Sequence, residues 1–479
     1  MYSLMRGYMM RRSNLGLFFG LCLSVPVLAT DMTGAWQGDL IIPEGPTLPI
    51  GIEVFDRPDG SLWASAASPA QGQRYLPVEV FSVEGRQFRL VLASPPATIA
   101  GTMGDSGQQL EATFSQGGGE LPINLQRVEA IDDIDRPQTP RQLLGYSEKE
   151  VWIENNRDGI WLAGSLSIPD DVESAPAVLL LAGSGAAQRD AYYAGHRPMA
   201  VLADRLAGKG LVVLRFDKRG VYKSTGQHNP VAIDDTLADA QSALAYLRAQ
   251  PVVDAKRLAV IGHSEGALIA GMLASSNDLV SAVSLAGPGM PIIELLQLQD
   301  ATEALAAGAS EQEASALSEL TGQIYVAAKE ERNIEVRMAR ITTLLQQATE
   351  LQRSAFEQYN GGTGTLSENW LSRPKYSDFL MIDPQHSWGQ VTEPVLVING
   401  LADSQVPAEQ NVKGIVDSVK GPVSVCTPEN VNHMLQPAAS AATADYAEIT
   451  QTIAEPLLNN VISFVRHNSG LSAQGTADC

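Results

Sequence analysis

Histidine is scarce in this chain, with six in 479 residues, and no H-E-x-x-H stands among them. The six are too scattered in sequence to propose a zinc site, and no metal or organic cofactor is implied. Basic residues are outnumbered, 33 lysines and arginines against 54 aspartates and glutamates, for a formal net charge of −21. Such an acidic chain repels nucleic acid and anionic membrane surfaces, so neither is expected as a partner; the charge itself serves solubility. Long apolar runs are missing too, apart from one near the N-terminus. There Arg11 and Arg12 precede an apolar stretch over residues 15–28 that ends at Ala29. This is the layout of a secretory signal peptide, with Val27-Leu28-Ala29 as the cleavage site. The stretch contains Pro26 and is shorter than the ~20 residues a spanning helix needs; no later segment reaches that length, so no membrane span is expected. Residues 1–29 are therefore predicted to be removed on export to the periplasm or beyond. Their removal takes away three arginines and no acid, moving the formal charge from −21 to −24. Cysteine is rarer still, and cleavage would remove Cys22 and leave Cys426 and Cys479. These two either pair, stapling the C-terminal tail to the strand that carries Cys426, or remain free thiols.

What is present falls into two styles of patterning, and the length suggests two or three domains. Residues 31–130 hold short alternating segments (39–42, 50–55, 74–83, 87–93, 109–115, 121–128) separated by glycine-bearing turns such as Pro58-Asp59-Gly60. That spacing predicts an all-β module, a sandwich or small barrel. Residues 131–145 are read as a linker, polar and twice broken by proline. From about Tyr146 strands alternate with helices. A hairpin is expected over 151–155 and 160–168, then apolar strands at 177–181, 211–216, 257–261, 280–285, 395–398 and 423–426. Helical stretches at 199–209, 236–249 and 409–419 separate most of them. The fold class is thus α/β: an open, doubly wound, mainly parallel sheet formed by residues 146–290 and 386–479, with helices on both faces. Residues 291–385 break the rhythm, with helical runs at 292–306, 311–329 and 335–359 and a glycine-rich turn at 361–364. They read as a helical cap inserted just after a strand's C-terminal end, where active sites of such sheets lie.

The densest chemical signal is Gly262-His263-Ser264-Glu265-Gly266, between an apolar strand and an Ala-rich helical segment. By itself G-x-S-x-G is weak, because 42 glycines make such turns by chance. Its flanks make it a candidate nucleophile elbow, in which the glycines permit an abrupt strand-to-helix turn and Ser264 is presented in a strained conformation. The backbone N–H of Glu265, at the start of the helix, suits a developing oxyanion.

A serine nucleophile needs a base, and the base an orienting carboxylate. In doubly wound hydrolases the chain order is Ser, then Asp or Glu, then His. His196, His228 and His263 precede Ser264, His386 sits before the next strand, and His467 ends the terminal helical run. His433 remains, in a loop directly after the last strand, although a loop histidine is commonly just solvated. The carboxylate is expected after the strand at 395–398. Asp403 fits there, whereas Asp383 lies before the strand and Asp417 within a helix; its ordinary alternative is a turn or cap aspartate. The glycine-rich turn Ala182-Gly183-Ser184-Gly185 follows the first parallel strand, and the N–H of Ser184 is the candidate second oxyanion donor. The same turn could be a plain tight turn; the Lys-Ser/Thr of a phosphate-binding loop is absent.

These motifs resemble the α/β-hydrolase superfamily, and specifically its secreted bacterial esterases. The resemblance rests on Ala182 to Gly185 with Arg189-Asp190, Phe216-Asp217-Lys218-Arg219-Gly220, Gly262 to Gly266, Gly400 to Pro407 with Asp403, and Asn432-His433-Met434-Leu435-Gln436. It covers roughly residues 148–467; the N-terminal β-module is similar to one that precedes some such esterases, more loosely. Ala186 departs from the proline that commonly follows G-S-G there, which implies a slightly more mobile oxyanion loop. Asp217 and Arg219 are read as holding loops together. The resemblance implies a secreted serine carboxylesterase acting on a small-molecule ester through Ser264, His433 and Asp403. Two other readings stay open: a serine peptidase or aminopeptidase on the same fold, and a polymer-binding protein with a vestigial hydrolase domain. A histidine base further predicts activity rising through neutral pH.

Overall fold

The computed structural model describes residues 32–93, 95–228, 232–360, 366–373, 375–438 and 446–471. The predicted signal peptide, the 361–364 turn and Cys479 therefore lie outside the described residues. Cys426 is disulfide-bonded, and the expectation that Cys479 is its partner falls outside them as well.

The N-terminal region is one nine-stranded antiparallel sheet. Its strands are β1 (Gly34–Ile41), β2 (Thr47–Asp56), β3 (Leu62–Ser68), β4 (Gln73–Leu76), β5 (Val78–Glu84), β6 (Gln87–Ala93), β7 (Pro96–Met103), β8 (Gln109–Gln116) and β9 (Gly119–Val128), in the order β4-β3-β2-β1-β9-β8-β7-β6-β5. The two edge strands are successive in the chain, and Pro77 between them cannot donate to a ladder. The predicted segment at 74–83 is accordingly two strands. Two further strands, β3 (LWASAAS) and β7 (PATIAGTM), escape the sequence pattern because alanine, serine and glycine give a faint hydrophobic alternation. One face of the sheet buries Trp36, Ile52, Leu90, Ile99, Leu110 and Leu125 in a common core.

The second sheet has eight strands: β10 (Tyr146–Asn155), β11 (Ile160–Pro169), β12 (Ala175–Leu181), β13 (Val212–Phe216), β14 (Val253–His263), β15 (Ser281–Leu285), β16 (Val395–Ile398) and β17 (Val423–Cys426). Their order is β10-β11-β13-β12-β14-β15-β16-β17, antiparallel through the β10–β11 hairpin and the β11–β13 pair and parallel thereafter. Parallel strands buried on both faces read as unbroken apolar runs, and the period of two sorts their side chains. Ala177, Leu179, Leu181, Leu258, Val260, Val395 and Val397 point to one face. There they meet α2 (Ile233–Arg248), α3 (Glu265–Ala274) and α11 (Ala408–Ser418). Val178, Leu180, Ala259, Ile261, Leu396 and Ile398 point to the other, against α1 (Pro198–Ala207) and α12 (Glu455–Asn468).

Between β15 and β16 the chain leaves the sheet for α4 (Ile292–Ala306), α5 (Glu311–Glu330), α6 (Ile334–Gln347), α7 (Glu350–Tyr359) and three short helices, α8 (Glu368–Leu371), α9 (Tyr376–Phe379) and α10 (Pro384–Trp388). The predicted helix at 335–359 is two helices. Thr349 caps α7 by accepting from the Gln352 N–H while the Gln352 side chain returns to the Thr349 N–H, a capping box that starts a new helix inside an apolar-periodic run. The cap has its own core, built on Leu296, Leu320, Ile324 and Tyr325.

The connecting segment is pinned rather than loose. Arg136 donates to the carbonyls of Ala194, Ala447 and Ile449, and Gln138 accepts from the N–H groups of Thr452 and Ile453. The β-module also meets the loop after β13. Arg57 donates to the carbonyls of Tyr222 and Ser224 (3.2 and 2.8 Å), and the Tyr222 hydroxyl donates to Glu53 at 2.7 Å. Phe55 and Tyr75 pack edge-on against the Tyr222 ring.

Candidate active site

The elbow is as tight as its spacing requires. Ser264, between β14 and α3, has φ +55° and ψ −122°, strained for a residue with a side chain. A methyl group on Gly262 would lie 2.0 Å from the carbonyl oxygen of Gly266, and one on Gly266 2.2 Å from that of Leu181. Glycine is thus demanded at both positions by backbone approach. The Ser264 N–H donates to the Leu285 carbonyl at 2.9 Å, fastening the turn to β15. The N–H of Glu265 opens α3, where no intrahelical acceptor exists. Ser264 borders a cavity of about 300 Å³ between the sheet and the cap, with Ser184, Leu268, Asp300, Glu303 and Trp370 among its walls.

Asp403 and His433 come together from the loops after β16 and β17. His433 Nδ1–H donates to Asp403 Oδ2 at 2.8 Å, and both side chains are buried. The other oxygen, Oδ1, accepts the N–H groups of Gln405 and Val406, each at 2.9 Å. This network assigns the Nδ1–H tautomer and leaves Nε2 with its lone pair. Among the described residues the Ser264 hydroxyl makes no hydrogen bond to His433 or to any other group; catalytic hydrogen bonds are often long in the ligand-free state. The His433 loop is held by Asn432 and Gln436, whose side chains bond each other at 3.0 Å while Asn432 Oδ1 accepts the Gln436 N–H. Gln436 also bonds the His196 ring at 3.2 Å. The N-H-x-x-Q spacing is thereby accounted for as a buried clamp.

The turn that carries Ser184 lies against the elbow. A methyl on Gly183 would be 3.3 Å from Ser264 Cβ, so this glycine lets the two loops touch. Ser184 itself is exposed at the cavity edge. Lys218 links the two loops, donating to the Gly183 carbonyl at 2.6 Å and to Glu265 at 2.8 Å. Asp217 and Arg219 hold loops: Asp217 accepts from the Arg189 backbone and guanidinium, and Arg219 pairs with Asp239 and Asp158.

Four contributors escaped the sequence reading. His263 is buried, and its Nε2–H donates to the His433 carbonyl at 2.8 Å, so the residue before the serine holds the His433 loop. Burial above all, then the neighbouring His433, pushes its pKa down to about 3, and it is neutral. Lys218 was visible inside F-D-K-R-G, but its double grip depends on loops brought together by the fold. Asp300 and Glu303 of α4 face the cavity from the cap. Burial raises Asp300 to about 7, against hydrogen bonds from Thr321 and Tyr325, and it raises Glu303 as well. Among the described residues no group of three or more His, Cys, Asp or Glu side chains is arranged to hold a metal, and no helix is long and apolar enough to cross a membrane.

Residues 158–426 match the family described as X-Pro dipeptidyl-peptidase (S15 family). Esterase EstD of Thermotoga maritima is 28% identical over 162 residues, 34% of this chain and 39% of that protein. An uncharacterized protein of Mycobacterium tuberculosis is 37% identical over 123 residues, 26% of this chain and again 39% of the relative. The chain thus spans about two fifths of the length of these relatives. Among solved structures, an esterase of Pyrococcus furiosus aligns at 20% identity with TM-score 0.37, covering 60% of this chain and 83% of its own. A proline iminopeptidase of Mycobacterium smegmatis aligns at 16% with TM-score 0.42, covering 67% and 99%.

Proposed function

The chain belongs to the X-Pro dipeptidyl-peptidase (S15) family of α/β-hydrolases, and on that premise we propose that it is an exported serine hydrolase that cleaves carboxylic esters. One observation carries this reading: the elbow serine opens on a cavity also lined by Gln405 and Val406, whose N–H groups anchor the carboxylate that fixes the tautomer of the buried His433 imidazole. Ser264 Oγ attacks the ester carbonyl and its proton passes to His433 Nε2. Asp403 stabilises the resulting imidazolium. The N–H groups of Ser184 and Glu265 hold the oxyanion of the tetrahedral intermediate. His433 then gives the proton to the departing alcohol, and water, activated by the same imidazole, releases the acid from Ser264. The similarity to an esterase supports the ester as substrate.

A second reading is favoured by Asp300 and Glu303. Two carboxyl groups facing the cavity from the cap suit a substrate ammonium, as an aminoacyl amide or peptide would present. Nitrophenyl esters of increasing acyl length assayed beside aminoacyl amides separate the two. Turnover of the esters, abolished in Ser264→Ala, is the expected result; turnover of the amides alone would reverse the order. Ester turnover retained in Ser264→Ala would overturn the mechanism for either substrate. Export is tested by fractionating cells that express the full chain: a mature species lacking residues 1–29 outside the cytoplasm is expected, and an uncleaved cytoplasmic one would refute it.

A further inference from the structure

A second cavity, of about 110 Å³, opens beside the elbow on the other side of Glu265 and Gly185. Its walls carry aromatic rings, four cations and two carboxylates, Asp239 and Glu265. Trp370, Tyr376 and Phe379 of the cap give it aromatic surface, and Trp370 and Phe379 also border the cavity of Ser264, so the two spaces adjoin. Lys218, Arg219, Lys375 and Arg373 give it positive charge.

Three of these four cations are already satisfied. Lys218 is bound to Glu265 at 2.8 Å, Arg219 to Asp239 at 2.7 Å, and Lys375 lies 3.7 Å from Asp235. Arg373 differs. Among the described residues its guanidinium has no hydrogen-bond or ion-pair partner, and its Nε is buried. It stacks on the Trp370 ring, 3.8 Å from the centroid. Stacking covers the face of the guanidinium and leaves its in-plane N–H groups free, the geometry that receives a carboxylate with two parallel bonds. His228 adds a second unsatisfied group: its Nδ1 is buried without a partner. Burial, then Lys218 and Arg373, lowers its pKa to about 4, so it is neutral.

We propose that this cavity receives one arm of the substrate, an apolar group ending in a carboxylate, and that Arg373 sets that specificity. The aromatic walls take the apolar part and the guanidinium takes the charged end. The inference rests on Ser264 being the nucleophile, because it is the substrate of that serine whose arm is placed here.

The test is a binding titration on the full chain carrying Ser264→Ala, using 4-phenylbutanoate and its neutral analogue 4-phenylbutanamide. A preference of at least ~tenfold for the carboxylate is expected from a charge-assisted pair in a partly desolvated site. Adding Arg373→Gln should erase the preference, and adding Arg373→Lys, which keeps the charge, should retain part of it. Equal affinity for the two probes in Ser264→Ala, or an undiminished preference after Arg373→Gln, would overturn the proposal. The first arm needs no change at Arg373, so a folding defect in those variants cannot mask the answer. Because the readout is binding and not turnover, failure here leaves the role of Ser264 standing, and a nucleophile other than Ser264 would leave the binding result intact.

Discussion

His263 offers a perturbation in which one physical quantity changes almost alone. Glutamine at this position retains an N–H donor able to reach the His433 carbonyl, now 2.8 Å from His263 Nε2, but it removes a titrating group. In the folded chain burial holds His263 near a pKa of about 3, against 6.5 for the free side chain. The unfolded chain therefore binds a proton below pH 6.5 that the folded chain refuses, and stability must fall as pH drops through the interval from 6.5 to about 3. Between about pH 7.5 and 5.0 the loss for this one residue is ~2 kcal/mol, one and a half pH units at ~1.4 kcal/mol each. His263→Gln should lose that much less stability over the same interval than the unsubstituted chain. Urea unfolding at the two pH values, followed by a catalytic-sheet signal, measures the difference without needing absolute stabilities. Equal losses in the two proteins would mean that His263 is not held neutral in the fold.

Asp403→Asn should reduce kcat by ~10⁴ with substrate binding largely kept, because an amide N–H facing His433 Nδ1 reverses the tautomer and removes the lone pair from Nε2; a reduction under tenfold in steady-state assays would contradict that role. Gly266→Ala places a methyl 2.2 Å from the Leu181 carbonyl and 2.7 Å from that of Ala182, both backbone atoms that must shift. A destabilisation of ~1–3 kcal/mol in urea, with loss of most ester turnover, is expected. Asp300→Asn should raise stability at pH 8 relative to pH 4. A folded pKa of about 7 against 3.8 unfolded means that the stabilisation present below 3.8 is lost as pH rises to about 7, and asparagine does not suffer that loss. An unchanged pH dependence of unfolding would show that Asp300 is not protonated in the fold.

The features readable from the sequence were those carried by short-range demands. Ser264 is announced by two glycines whose methyl groups would strike the backbone, and Asp403 and His433 by their position after successive apolar strands. The buried parallel strands were readable because both their faces are apolar. By contrast, β3 and β7 of the module are built of small residues with little alternation, and the break between α6 and α7 is signalled only by a capping box inside a continuing helical period. Roles that join distant segments were not readable. The grip of Lys218 on Gly183 and Glu265 spans 35 and 47 residues, and His263 reaches the His433 carbonyl across 170. Neither distance leaves a local trace.

The contact between Arg57, Glu53 and Tyr222 carries a consequence for anyone who would recombine this protein. The loop after β13 is held at Tyr222 and Ser224 by the β-module, and at Lys218 it grips the turn beside Ser264. One short segment is thus shared property of the two sheets. Exchanging the module for that of a relative would alter the setting of the Ser184 turn, the proposed oxyanion loop, so inherited differences in turnover can arise from residues that never approach the substrate.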